Sequence, residues 1–130
     1  MKIRADNIQG SPSHALQVKD VERILAGVPT DWTRDISSVR LTNAQDQRSY
    51  AFFHTSDGCL TIFSRGSTPA QALQAVLVEL AAHLIGVNKS FGRPLSNRES
   101  QRVHKLTQPY MDELLPAIRP VSKPAIFRLP

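Results

Sequence analysis

Cysteine is almost missing from this chain: Cys59 stands alone among 130 residues. A single thiol excludes an intramolecular disulfide framework, and a reducing, cytoplasmic setting fits it. No CxxC pair or histidine cluster offers the ligand spacing of a closed structural metal site. Glycine is scattered: Gly10, Gly27, Gly58, Gly66, Gly86 and Gly92 fit neither G-x-x-x-x-G-K nor G-x-G-x-x-G. That excludes a glycine-rich phosphate cradle. Aromatics make up only 6% of the chain, which argues against a dedicated reader of nucleic-acid bases. No apolar run follows the basic residues of the opening MKIRADNIQG, so no signal peptide is read there. One segment has the length of a membrane span, 69–88, but Gln71, Gln74, Glu79 and His83 would all have to enter lipid. A buried helix of a soluble domain is the reading, with no membrane span.

What is present is an ordinary globular composition, 41% hydrophobic and 21% charged, on a length that suits one domain with a real core. The net charge of +5 is unevenly placed. Residues 1–88 hold eight Lys/Arg and eight Asp/Glu, whereas residues 89–130 hold eight against three. The basic excess therefore lies wholly after the 69–88 segment. It suits an anionic partner, a membrane surface or nucleic acid, or simply forms a solvated face.

Residues 2–8 read as a first strand and Ser11-Pro12-Ser13 as a break. Val18, Val21, Leu25 and Val28 recur at helical spacing, ended by Gly27 and Pro29. Ile36, Val39 and Leu41 suggest a short strand. Residues 49–55 and 59–64 are rich in aromatic and β-branched residues, and Asp57-Gly58 between them predicts a two-residue hairpin turn. Thr68 as N-cap and Pro69 at the first helical position start the next helix. Leu73, Val76, Leu77, Leu80 and Leu84 form its main stripe, and alanines and Val78 leave it almost no wet face. Gly86 and Asn88 can end it. Ser96-Asn97-Arg98-Glu99 is a capping box opening a terminal helix. Its stripe, Val103, Leu106, Tyr110 and Leu114, crosses Pro109, which implies a kinked helix or two in sequence. These elements predict an α+β domain over residues 1–115: a short mixed or antiparallel sheet whose hairpin packs on a central buried helix, plus a C-terminal helix. Residues 116–130 read as a Pro/Arg-rich tail favouring extended structure. It docks on another protein or packs on its own domain through Ile118, Ile126 and Phe127.

The chemistry gathers in the central helix. Glu79 is the only charged residue from Pro69 to Asn88. A carboxyl there costs several kcal/mol unless it is paired, protonated or metal-bound. His83, four residues on, projects from the same face. The run Glu79-Leu80-Ala81-Ala82-His83-Leu84-Ile85-Gly86-Val87-Asn88-Lys89, after a hairpin, resembles the H-E-x-x-H-x-x-G-x-x-H helix of zincin-type metallopeptidases of the metzincin kind. In that register His83 matches the second zinc ligand and Gly86 the glycine after it. Glu79 replaces the first histidine, Leu80 the general base and Lys89 the third ligand. The resemblance implies a small zincin-like fold over roughly residues 15–110 with a decayed motif.

A zinc hydrolase needs three protein ligands, an open position and a base. Glu79 and His83 supply two candidate metal ligands, and His104, or Glu99, on the next helix a third. With Leu80 at the base position nothing takes a proton from water, so no catalytic residue and no cofactor is assigned, zinc being the alternative. The expected function is therefore a non-catalytic protein-binding domain, a pseudoenzyme. Its old cleft survives as a groove beside the hairpin's edge strand, where an extended peptide binds by strand addition. Glu79 and His83 hold the floor of that groove. The alternatives are an atypical zinc-dependent peptidase or hydrolase, and an anion- or nucleic-acid-binding module. The second would use Arg98, Arg102 and Lys105, which share a helix face, with Lys89 and Arg93 before them. His54 and Cys59, on one face of the hairpin, form a Cys–His pair without an orienting third residue or an oxyanion hole.

Overall fold

The structure, a computed structural model, describes residues 2–5, 15–42, 50–63, 66–87 and 94–118. Eight elements follow one another: β1 (Lys2–Ala5), α1 (Val18–Gly27), α2 (Thr30–Thr33), β2 (Ser38–Leu41), β3 (Ala51–His54), β4 (Cys59–Ile62), α3 (Pro69–Leu84) and α4 (Asn97–Ile118). The strands form one mixed sheet in the order β1-β2-β4-β3. β1, β2 and β4 run parallel, and β3 is antiparallel to β4 at one edge. The fold class is α+β.

Register decides the two faces of this sheet. Ile3, Val39, Leu60 and Phe53 lie in one cross-strand row, and Ala5, Leu41, Ile62 and Ala51 in another. Val39, Leu41, Leu60, Ile62, Phe53 and Ala51 are buried in a single apolar cluster with residues of α1, α3 and α4. The intervening rows present Ser38, Cys59 and His54, and Arg4, Arg40, Thr61 and Phe52, to the opposite face. Period-2 alternation thus sets a helical layer on one side of the sheet and a largely polar set of side chains on the other, where Phe52 is nonetheless buried.

α3 is the buried helix the composition predicts. Thr68 Oγ1 accepts from the Gln71 N–H at 3.1 Å, and Gln71 Oε1 accepts from the Thr68 N–H at 3.0 Å. This reciprocal box starts the helix at Pro69. Beyond Leu84 the chain turns at Gly86, whose φ of 79° suits glycine; Asn88 lies outside the described residues. The predicted box at α4 is present too: the Ser96 N–H donates to Glu99 Oε1 at 2.9 Å and the Glu99 N–H to Ser96 Oγ at 3.2 Å.

Several expectations shift. The buried stripe of α1 is Val21 and Ile24, with Leu25 half-buried, because the layer beneath sits toward Ile24. α4 runs unbroken through Pro109 and Pro116. Pro109 is exposed while Val103, Thr107, Leu114 and Ile118 are buried, so tertiary packing of one face outweighs the loss of a helical N–H on the other. The tail therefore cannot begin at residue 116: Ile118 is part of the core, and Arg23 Nη1 donates to the Ala117 carbonyl at 2.9 Å, satisfying an end-of-helix acceptor. Ile126 and Phe127 lie outside the described residues. Among the described residues no helix is long and apolar enough to cross a membrane.

The hairpin turn differs most. Pairing of His54 with Cys59 leaves a four-residue loop, Thr55–Gly58, in place of the expected Asp57-Gly58 pair. The loop is held from outside the hairpin. Ser37 Oγ donates to the Asp57 carbonyl at 2.7 Å, and the Ser37 N–H to the Gly58 carbonyl at 2.8 Å. Asp57 Oδ1 accepts the Cys59 N–H at 3.0 Å, a turn that aspartate builds from its own side chain. Gly58 has a φ of 71°, and a Cβ there would stand 2.8 Å from the Asp35 carbonyl oxygen and 2.7 Å from Ser37 Oγ. Gly58→Ala should therefore cost about 2 kcal/mol or more, combining left-handed strain with a backbone clash. Urea unfolding checks this, and a loss below about 0.5 kcal/mol would mean that the loop is not clamped as described.

Candidate functional site

α3 carries Glu79 and His83 to the end of the helical layer that meets β3 and the segment after α2. Glu79 is only 5% exposed. Its Oε1 accepts the Phe53 N–H at 3.0 Å. This donor belongs to β3, the last strand of the sheet order. The Phe63 N–H donates to the Tyr50 carbonyl and the Gly58 N–H to the His54 carbonyl, so residues 50, 52 and 54 face β4. By alternation Ala51 and Phe53 direct their N–H and C=O groups away from it. The carboxyl of Glu79 thus stands where the carbonyl of a further strand would stand. Hydrogen bonds to a charged acceptor contribute about 1.5–3 kcal/mol, and a buried donor left without one costs a similar amount.

His83 turns to a different partner. Its Nε2 lies 2.7 Å from Asp35 Oδ2, an ion pair whenever the ring is protonated. The ring meets Phe53 edge-on at 4.8 Å between centroids. His83 is 31% exposed and Asp35 61%, so this bond is worth about 0.2–1 kcal/mol. Four residues from three parts of the chain, Asp35, Phe53, Glu79 and His83, thus form one cluster at the end of β3. Asp35 was not singled out from the sequence. It lies 48 residues from His83, and no periodicity or motif joins the two.

The third candidate ligand does not join them. His104 is exposed on α4, where it lines a shallow depression with Asn97, Ser100, Gln101 and Lys105. Glu99 is held in its capping box. Among the described residues no three His, Cys, Asp or Glu side chains are grouped as a metal ion would require. The set Glu79, His83 and His104 is therefore not assembled, because its members leave α3 and α4 toward different surroundings.

Arg98, Arg102 and Lys105 are all exposed along α4, as their spacing predicts; Lys89 and Arg93 lie outside the described residues. Cys59 and His54 are directly opposite in register on the outer face. The His54 ring contacts Phe52 edge-on at 4.7 Å, and Cys59 Sγ lies 3.8 Å from Thr61 Oγ1.

Compared with protein-family models, curated proteins and solved structures, the chain matches none. The functional reading accordingly rests on the cluster itself.

Two substitutions separate the roles of its acceptors. Glu79→Ala strips the Phe53 N–H of its partner and opens a cavity, and should cost about 2–4 kcal/mol. Glu79→Gln keeps an acceptor oxygen and should cost less, by about 1 kcal/mol or more. Native-state hydrogen exchange at the Phe53 amide should quicken in the alanine variant. Equal losses in both variants, with exchange unchanged, would show that the bond contributes nothing.

Proposed function

We propose that this domain is a non-catalytic protein-binding module on a scaffold resembling a zincin, its metal positions turned to structural use. The observation that carries the reading is the engagement of both candidate ligands inside the fold: Glu79 with the Phe53 N–H and His83 with Asp35. The residues present do not fit a zinc hydrolase site. Glu79 and His83 hold bonds that a metal would have to break, the third candidate ligand lies elsewhere, and the position of the general base is Leu80, 1% exposed in the apolar core. A carboxyl and an imidazole pinned in this way brace the layer behind β3. They leave the sheet a stiff platform for an extended segment, which binds through main-chain hydrogen bonds at an unpaired edge.

One selection tests both halves of the proposal. A displayed library of extended peptides should yield binders in the low-micromolar range or weaker, as expected for a short strand added at one edge. The same peptides, incubated with the protein and zinc and followed by mass spectrometry, should remain intact. Cleavage that disappears in a Glu79→Gln, His83→Ala double variant would overturn the reading in favour of a hydrolase. A library that yields no binder would overturn the binding half.

A further inference from the structure

The sheet has two edges, and they are not equivalent. At β3 the outward N–H of Phe53 is already taken by Glu79, and Ala51 is also engaged within the chain. A peptide arriving there must displace a buried carboxyl. β1, at the other edge, pairs among the described residues only with β2. Its alternate N–H and C=O groups face away from the sheet, as they do on any edge strand. Arg4 and Ala5 are exposed and Ile3 is half-buried.

The side chains of β1 state what a neighbouring strand should carry. Arg4 stands in register with Arg40 on β2, and both are exposed on the outer face. Like charges directly opposite across two strands repel. Arg40 has a further interaction within the chain, so the charge that a partner strand would meet is that of Arg4. A strand laid beside β1 would extend this row and place one side chain next to Arg4. On the other face its flanking side chains would lie next to Ile3 and Ala5, which border the apolar rows of the core face.

We infer that the β1 edge is the peptide-docking edge, and that its partner is an extended segment alternating acidic and apolar residues. An acidic side chain sits beside Arg4 and apolar ones beside Ile3 and Ala5. This rests on the binding function proposed above and adds the edge and the chemistry of the partner. Charge fits at longer range as well: the chain carries +5 overall, which speeds encounter with an acidic segment.

The test uses the full chain, isotopically labelled, with a synthetic peptide alternating glutamate and valine and a control alternating lysine and valine. The glutamate peptide should shift and protect the amides of residues 3–5 while leaving Phe53 unchanged. The lysine peptide should bind about 2- to 30-fold more weakly, the range expected when one favourable cross-strand pair becomes a like-charge one. Arg4→Glu should reverse that preference. Since Arg4 is exposed on an edge strand, the variant should keep the wild-type melting temperature.

Perturbation at residues 51–54 in place of 3–5 would overturn the assignment of the edge and leave the binding function standing. Equal binding of both peptides would overturn the charge argument. Protection of residues 3–5 that grows with protein concentration alone would make a second copy of the chain the occupant. A single-stranded oligonucleotide shifting the same amides, with binding falling steeply in salt, would replace the peptide by nucleic acid. No perturbation by either peptide would overturn the inference outright, whereas the library selection decides the binding function independently.

Discussion

The hydrogen bond from the Phe53 N–H to the Glu79 carboxyl is the contact on which the arrangement of layers turns. A helix and a sheet packed face to face meet through apolar side chains, which slide over one another at little cost. This bond crosses the interface with a direction and a length. It fixes the height of α3 against β3 and the rotation of the helix about its axis. The same rotation buries Leu73, Val76, Leu77 and Leu80 and brings His83, one turn later, to the Phe53 ring and Asp35. Asp35 in turn lies two residues before Ser37, which holds the hairpin loop through Asp57 and Gly58. Helix, edge strand, the segment after α2 and the hairpin loop are thereby linked through two side-chain hydrogen bonds, a ring contact and the short run of chain from Asp35 to Ser37.

A carboxyl in this position serves a second purpose. An edge strand with free N–H groups is a template for unwanted pairing, and proteins commonly blunt such edges with inward-pointing charge. Glu79 does so from behind the sheet. Among the described residues of β3, Phe53 and Ala51 are the two whose backbone groups face outward, and both are engaged. The sheet is thus protected where it is most apolar, beside Phe52 and Phe53, and among the described residues pairs on one side only at Arg4.

How much of this was legible in the sequence depends on the range of the interaction. The starts of α3 and α4 were readable because caps are local: Thr68 stands directly before Pro69, and the reciprocal bonds of Ser96-x-x-Glu99 span three residues. The central helix was readable because its apolar residues run nearly all round, and the strands because alternation of period two is a local signal. The turn at Gly58 was misjudged because its geometry is set by Ser37, twenty residues away, which a dipeptide rule cannot register. The end of the domain was misjudged because proline at 109 and 116 weighs against a helix locally, whereas burial of Leu114 and Ile118 weighs for it globally. Glu79 and His83 stood out as residues that needed partners, yet the partners, a backbone N–H and Asp35, carry no signature in the chain. A buried carboxyl announces that a bond exists without saying to what.

The distribution of charge shows why the outer face of the sheet has weight in the functional reading. The excess of basic residues in the sequence lies after residue 88, which draws attention to α4. There Arg98, Arg102 and Lys105 are exposed along one helix. Arg4 and Arg40 belong to the neutral half of the chain and draw no notice in one dimension. Register sets their backbones side by side on adjacent strands, at the spacing of about 4.8 Å that pairing imposes. A strand laid beside β1 would bring one of its side chains next to Arg4 while its backbone extended the sheet. Strand pairing, which linear charge counting cannot register, is what gives the peptide partner inferred above its acidic position.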